Sequence, residues 1–370
     1  MLDIYAGKNA LKTIQEQGFK QELFSNFLGA SGGPKWFILF GLDKYLFSDF
    51  FKNRTTELNL IGSSAGAFRA AALTQKDPIK AIERLAYTYA NTVYSSKPSP
   101  QEISMQAVHI VDQLFAENGA DEIINNEIFK AHFLVAKCNG LTDSENKIKQ
   151  GAGLITSMLL NKIDRKLLSK QYERYIFQHP SSTLTIDDPY NFSNVYESLT
   201  PDNIKSALLA SGSIPMVMSG IKNITGSKNG TYRDGGIIDY HFDFSLSNNK
   251  ADKYRASEQN LKVNSTKKGY GLTLYPHFSS EPKAGWFDKS SNRRVLASSY
   301  ENTVLLAPSQ SFIQSLPYGK IPDRTDFTKL DAPTRIKYWL NVLEETEKLA
   351  QCFNKFVVKQ DIAKIKPFQP

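Results

Sequence analysis

Two cysteines in 370 residues, Cys138 and Cys352, leave no disulfide framework to staple a small fold. No Cys/His spacing matches a zinc site either, and the scarcity of thiols fits a reducing compartment, so a cytoplasmic location is expected. No apolar run reaches the 18 residues or so that would span a bilayer. The start of the chain, Met1 to Lys8, lacks the charged stretch and apolar core of a signal peptide. A Gly-Gly pair precedes Lys35, but Trp36 stands where a nucleotide-binding phosphate loop carries Ser or Thr, which argues against that loop. No groove-reading motif and no basic helix is visible, so a nucleic-acid partner is not expected.

What is present fits a globular α/β protein. The chain is 41% hydrophobic and 12% aromatic, long enough for one large core with insertions. Its 45 basic and 37 acidic residues give a net charge of +8, spread along the chain rather than blocked. A solvated surface explains most of that excess, and a peripheral contact with an anionic membrane surface is compatible with it.

The most informative stretch is Gly62-Ser63-Ser64-Ala65-Gly66. It follows the apolar run Leu58–Ile61, which reads as a buried strand, and precedes Ala65–Leu73, which reads as a helix. G-x-S-x-G on a sharp strand-to-helix turn exposes a serine hydroxyl at the top of a sheet, at the positive end of the following helix. That layout points to Ser64 as a nucleophile. A second Gly-rich turn, Gly29 to Trp36, follows Leu23–Leu28 and precedes a helical pattern running from Pro34 to about Phe51. Glycine there lets backbone N–H groups approach an anion, and Pro34 has no N–H, so Gly32 and Gly33 are the candidate donors to a tetrahedral oxyanion. Two further segments complete the set: a helix ending in Ala210-Ser211-Gly212-Ser213-Ile214-Pro215, and Asp234-Gly235-Gly236 after a short strand.

Together these four segments resemble the patatin-like phospholipase family, the lipid acyl hydrolases. The elbow matches in full at Gly62 to Gly66. The family's G-G-G-x-[RK]-G loop matches at Gly32, Gly33 and Lys35, with Ser31 and Trp36 replacing its first and last glycines. Its A-S-x-x-x-P segment matches at Ala210, Ser211 and Pro215, and its D-G-[GA] turn at Asp234, Gly235 and Gly236. The resemblance implies a Ser64–Asp234 dyad without the usual histidine, an acyl-enzyme intermediate, no metal or cofactor, and a lipid acyl ester as substrate. It also implies a mainly parallel central sheet with helices on both faces, a three-layer α/β arrangement.

An aspartate near pKa 4 is a weak base in water, so this reading needs Asp234 partly desolvated. Two alternatives stand beside it. His241 or His277 would complete a triad in an esterase or thioesterase acting on soluble substrates. Or the departures at Ser31 and Trp36 mark a lipid-binding scaffold without activity. Were Asp239 to Phe244 a strand, Asp239, His241 and Asp243 would share one face and three aromatics the other.

Alternation of strands and helices supports the parallel sheet. The spacing predicts strands over 130–138, 172–177, 231–234 and 269–275, a helical stretch to about residue 127 broken at Pro98 and Pro100, a loop over 139–150 and a helix over 154–168. Residues 245–268 read as a polar, lysine-rich surface loop. Trp286 and Phe287 read as a packed pair in a loop, or else as an interfacial tip. From Pro333 onward Ile336, Trp339, Leu340, Leu343, Ala350, Phe353 and Val357 fall at helical spacing. The expected organisation is a hydrolase domain over 20–310 and a helical C-terminal extension over 311–370 packed on it.

Overall fold

The computed structural model describes residues 1–248 and 271–370. Among the described residues, eleven strands form one mixed, largely parallel sheet surrounded by helices. In chain order its strands are β1 (Leu2–Ala6), β2 (Phe24–Gly29), β3 (Leu58–Ser63), β4 (Phe129–Cys138), β5 (Tyr172–Gln178), β7 (Asn194–Ser198), β8 (Ile221–Lys222), β9 (Thr231–Asp234), β11 (Leu272–Pro276), β12 (Thr303–Pro308) and β13 (Lys366–Pro367). A separate hairpin-like pair joins β6 (Leu184–Asp187) to β10 (Ser245–Asn248). Across the main sheet the order is β13-β1-β12-β11-β2-β3-β4-β5-β7, and the five central strands from β12 to β4 run parallel. Strands from both ends of the chain pair with each other at one edge, β1 with β13. β3 is buried along its whole length and β4 nearly so, as parallel strands covered on both faces must be.

One register detail positions the site. β3 runs parallel to β4 up to the pair Ser63–Leu134. β9 runs antiparallel to β4 and ends at the pair Asp234–Val135. β5 occupies the other edge of β4 over the same residues, so β3 and β9 share one edge and meet head to head. Ser63 and Asp234 thus face adjacent residues of β4, although 171 positions separate them in the chain.

The helices begin where local chemistry allows. α1 spans Lys8–Gln17, and α2 (Phe40–Tyr45) continues a 3₁₀ turn over Gly33–Leu39 and passes into a π turn at Leu46–Phe50. α3 (Ala65–Leu73) follows β3 directly. α4 (Pro78–Ala90) and α5 (Pro100–Phe115) each have proline at the first position, where the missing N–H costs nothing. Asp77 and Ser99 cap them by accepting from the Lys80 and Glu102 N–H groups. α6 spans Gly119–Ile124, α7 Lys147–Ile163 and α8 Ile204–Gly212. Toward the C-terminus, helices Ala332–Glu345 and Glu347–Lys359 lie against the N-terminal half. Phe353 and Phe356 stand edge-on to Phe19, with ring centres 5.7 and 5.1 Å apart, and Thr346 accepts the Gly41 N–H at 2.9 Å.

Three expectations are corrected. Residues 139–150 are not all loop: Gly140–Asp143 form a 3₁₀ turn, and α7 starts at Lys147 because the Asn146 side chain accepts from the N–H groups of Ile148 and Lys149. Asp239 to Phe244 is not a strand, since Phe242 takes a left-handed φ of 66° and breaks the alternation. Ser245–Asn248 is β10 rather than loop, while residues 249–268 of that expected loop, with 269 and 270, lie outside the described residues.

Candidate active site

Ser64 sits between β3 and α3 with φ 53° and ψ −125°, a conformation that costs a non-glycine residue energy and persists only where the surroundings enforce it. The enforcement is close packing. A side chain at Gly66 would place its Cβ 1.7 Å from the Gly29 carbonyl oxygen, and one at Gly62 would lie 2.2 Å from the Gly66 oxygen. Only glycine at these two positions lets α3 cross the ends of β2 and β3 so closely. Arg69 locks α3 from below through a bidentate ion pair with Asp43 of α2 at 2.6 and 2.8 Å, both side chains buried.

The Ser64 hydroxyl donates to Asp234 Oδ2 at 2.8 Å. The other carboxylate oxygen, Oδ1, accepts the Gly236 N–H at 2.8 Å, which orients the carboxyl group, and the Asp234 N–H donates to the Ser213 carbonyl at 3.0 Å. At Gly235 a Cβ would lie 2.1 Å from the Leu134 oxygen, so the D-G-G turn can lie flat on β4. Burial raises the Asp234 carboxyl above the usual aspartate range, against the opposing pull of Arg324, the Ser64 hydroxyl and the Gly236 N–H.

Ser211, at the end of α8, accepts the Ser64 N–H at 3.0 Å and donates to the Leu134 carbonyl at 2.7 Å. That link gives a physical purpose to the A-S-x-x-x-P segment: it anchors the elbow backbone to β4.

The Gly-rich turn lies alongside. Gly33 adopts φ 57°, a left-handed conformation suited to glycine. Among the described residues no acceptor takes the N–H of Gly32 or Gly33, and Gly32 lines the small cavity at Ser64. Both departures from the family loop have occupations. Ser31 donates its N–H to the Tyr240 carbonyl at 2.9 Å, and its hydroxyl reaches the Ser63 carbonyl and hydroxyl at 3.2 and 3.1 Å. Buried Trp36 helps wall an apolar pocket of about 390 Å³ that is lined by Ser64 and runs between α4, α5 and the segment after α8. Phe68, Leu85, Ile103, Ile110 and Val217 also line it.

Lys35 stands with its ammonium 5.4 Å from the Phe278 ring centre, and its pKa is lowered, chiefly by burial. Two cations at the mouth escape a reading of local motifs. Arg324 lines both the apolar pocket and the Ser64 cavity, and Lys289 lines the cavity with its Nζ 4.0 Å from the Tyr240 ring centre. Desolvation, then the Arg324 charge, bring the Lys289 amine down to about 8. Both come from loops far downstream, so no sequence spacing links them to the elbow. Trp286 lines the same cavity, and both it and Phe287 pack against the small apolar cluster that contains Ile237 and Ile238.

Neither candidate triad histidine is hydrogen-bonded to Ser64 or Asp234 among the described residues. His241 Nδ1 accepts the Lys283 N–H at 2.8 Å, and its ring lies 4.3 Å from that of His277. His277 Nδ1 accepts the Ser279 N–H at 3.0 Å. Burial lowers both, His277 to about 3 and His241 well below its ordinary value. The acids expected to flank His241 point elsewhere: Asp239 pairs with Arg174, and Asp243 accepts from the Tyr190 hydroxyl and the Leu296 N–H. Among the described residues no group of three or more His, Cys, Asp or Glu side chains is placed to hold a metal ion. No helix among them is long and apolar enough to cross a membrane.

Residues 59–241 match the family described as patatin-like phospholipase. No curated protein matches the chain. Solved structures similar to it include VipD from Legionella pneumophila, at 12% identity over 74% of this chain and 52% of that one, with a TM-score of 0.30. The human GIVD cytosolic phospholipase A2 is similar at 11% identity over 96% of this chain and 62% of that one, with a TM-score of 0.38. The matched regions thus span between half and two thirds of those two chains.

Proposed function

From the premise that residues 59–241 are a patatin-like phospholipase domain, we propose that this protein hydrolyses acyl esters of lipids, phospholipids or lysophospholipids, through a Ser64–Asp234 dyad. The observation that carries the proposal is the 2.8 Å hydrogen bond to a buried carboxylate from Ser64, which itself lines an apolar pocket.

The reaction runs in two halves. Asp234 Oδ2 takes the Ser64 proton as Oγ attacks the ester carbonyl carbon, and the carbonyl oxygen becomes an oxyanion between the N–H groups of Gly32 and Gly33. The intermediate collapses, the carbon–oxygen bond to the alcohol breaks, and the departing alkoxide takes the proton back from Asp234. Water then gives a proton to Asp234 and attacks the acyl carbon. When that second intermediate collapses, Ser64 Oγ leaves with the proton and the fatty acid is released. The acyl chain lies in the apolar pocket. Burial of Asp234 is what makes a carboxylate a competent base here, because it raises proton affinity toward the working pH.

The test is hydrolysis of p-nitrophenyl butyrate and of mixed phospholipid vesicles by wild type, Ser64→Ala and Asp234→Asn. Loss of both activities in both folded variants supports the dyad, and the substrate ratio reads lipid preference. Wild type that hydrolyses neither substrate would favour a lipid-binding scaffold.

A further inference from the structure

Helix α7 is built inside out. Its buried residues are Gln150, Gly153, Ser157 and Asn161, polar or small at every position. Its outward residues include Ile148, Ile155, Leu159 and Ile163, which are 83%, 58%, 53% and 77% exposed. An amphipathic helix packed on a core should present the reverse arrangement. The inner polar groups are nonetheless satisfied: Ser157 shares its hydroxyl with the Gln171 side chain at 2.7 Å and the Tyr172 hydroxyl at 2.8 Å, and Asn161 donates to Asp288 at 2.8 Å. The helix is therefore seated in its proper orientation, and its apolar face is turned to the outside by design of the sequence.

We propose that this face is the surface by which the protein docks on an anionic lipid bilayer, with α7 lying in the interface. Charge selects the occupant. The 17 residues of α7 contain Lys147, Lys149 and Lys162, all exposed, and no acidic residue. Among the described residues none of the three lysines forms an ion pair. The nearby carboxylates are engaged: Asp143 accepts the Thr231 N–H, Glu145 pairs with Arg233, and Asp164 accepts the Lys166 N–H. Apolar side chains between lysines at both ends suit acyl chains beneath a layer of phosphate groups. A second copy of the same face fits poorly, because in either orientation lysines would meet lysines with no acid on the helix to pair them.

Location adds to the case. The inner face of α7 holds both flanks of the Ser64 site. Gln150 Oε1 accepts the Met216 N–H at 2.7 Å, and neighbouring Pro215 and Val217 line the two pockets. Asn161 holds Asp288, two residues from Trp286 in the wall of the Ser64 cavity. Met216 and Val217 are themselves partly exposed, and Val217 lines the apolar pocket.

This inference draws on the lipid reading above, and its test is independent of turnover. The Ser64→Ala protein is sedimented with vesicles of phosphatidylcholine containing phosphatidylserine, and with phosphatidylcholine alone. Binding to the anionic vesicles is expected, weakening with salt. Adding Ile155→Glu and Leu159→Glu should reduce the partition coefficient roughly tenfold or more. Converting Lys147, Lys149 and Lys162 to Glu should weaken binding to anionic vesicles selectively. With Ser64 restored, both sets should keep wild-type hydrolysis of p-nitrophenyl butyrate if the enzyme has it, which shows the fold intact; circular dichroism serves where it does not. Absence of vesicle binding, or binding unchanged by the Ile155/Leu159 pair, overturns the proposal. So does a wild-type dimer in sedimentation velocity that the same pair dissociates.

Discussion

Asp234 and Asp239 lie five residues apart, both buried, and their surroundings differ in one decisive respect. Asp239 is clamped by the Arg174 guanidinium at 2.6 and 2.7 Å, with Asp188 on the same arginine. Burial works against the Arg174 charge, but the two carboxylates outweigh it and hold the guanidinium protonated. Asp234 has no such clamp. Its direct partners are a serine hydroxyl and a backbone N–H, and burial raises its proton affinity against their pull and that of the Arg324 charge. Burial raises the proton affinity of both carboxylates, but Asp239 is hydrogen-bonded to its own arginine, whereas the direct hydrogen-bond partners of Asp234 are neutral and Arg324 acts on it through its charge alone. The contrast separates scaffold from candidate chemistry without reference to any motif.

The largest effect should come from breaking the unclamped side. Asp234→Asn is expected to lower turnover about 10²–10⁴-fold, the range of base catalysis, as measured with a soluble ester. It should not lower stability. A folded-state pKa raised above that of the unfolded chain disfavours the folded form once pH exceeds the unfolded value, so the amide should unfold at an equal or higher temperature at neutral pH. The clamped side should behave in the opposite way. Arg174→Met leaves Asp239 and Asp188 buried without their partner and should cost about 3–5 kcal/mol in denaturant unfolding, while any folded fraction should still react with a fluorophosphonate at Ser64.

A smaller effect is expected at Ser211→Ala, which leaves the Ser64 N–H and the Leu134 carbonyl without their shared hydroxyl. A loss of about 1–3 kcal/mol in stability should accompany a lower kcat with KM little changed. The smallest is a shift in the pH profile. If Asp234 acts as base, the acid limb of kcat/KM should fall at a higher pH than a solvated aspartate allows, and activity should disappear as pH drops through that raised value. A limb at or below about pH 4 would count against it.

The elbow was legible in the sequence because its requirements are local: a buried strand, two glycines and a helix between Leu58 and Leu73. Asp234 was legible only through resemblance, since Asp-Gly turns are common. What brings it to Ser64 is the head-to-head meeting of β3 and β9 on β4, a register that no short window encodes. Arg324 and Lys289 were invisible for the same reason. The Asp239 to Phe244 segment misled because alternation looked like a strand until a left-handed Phe242 interrupted it. Helix α7 began earlier than expected because Asn146 reads equally well as loop or as cap. Its reversed face could not be read from periodicity, which gives the stripe but not the side that is buried.

The central claim is that a carboxylate alone, unaided by histidine, activates Ser64. Its most direct measurement is the rate of covalent labelling by a fluorophosphonate, mapped by peptide mass, in wild type, Asp234→Asn and the His241→Gln and His277→Gln variants. The account predicts labelling at Ser64, at least about 100-fold slower in Asp234→Asn and near wild type in the folded histidine variants. Labelling of Asp234→Asn at the wild-type rate, or its loss in a folded histidine variant, would contradict it.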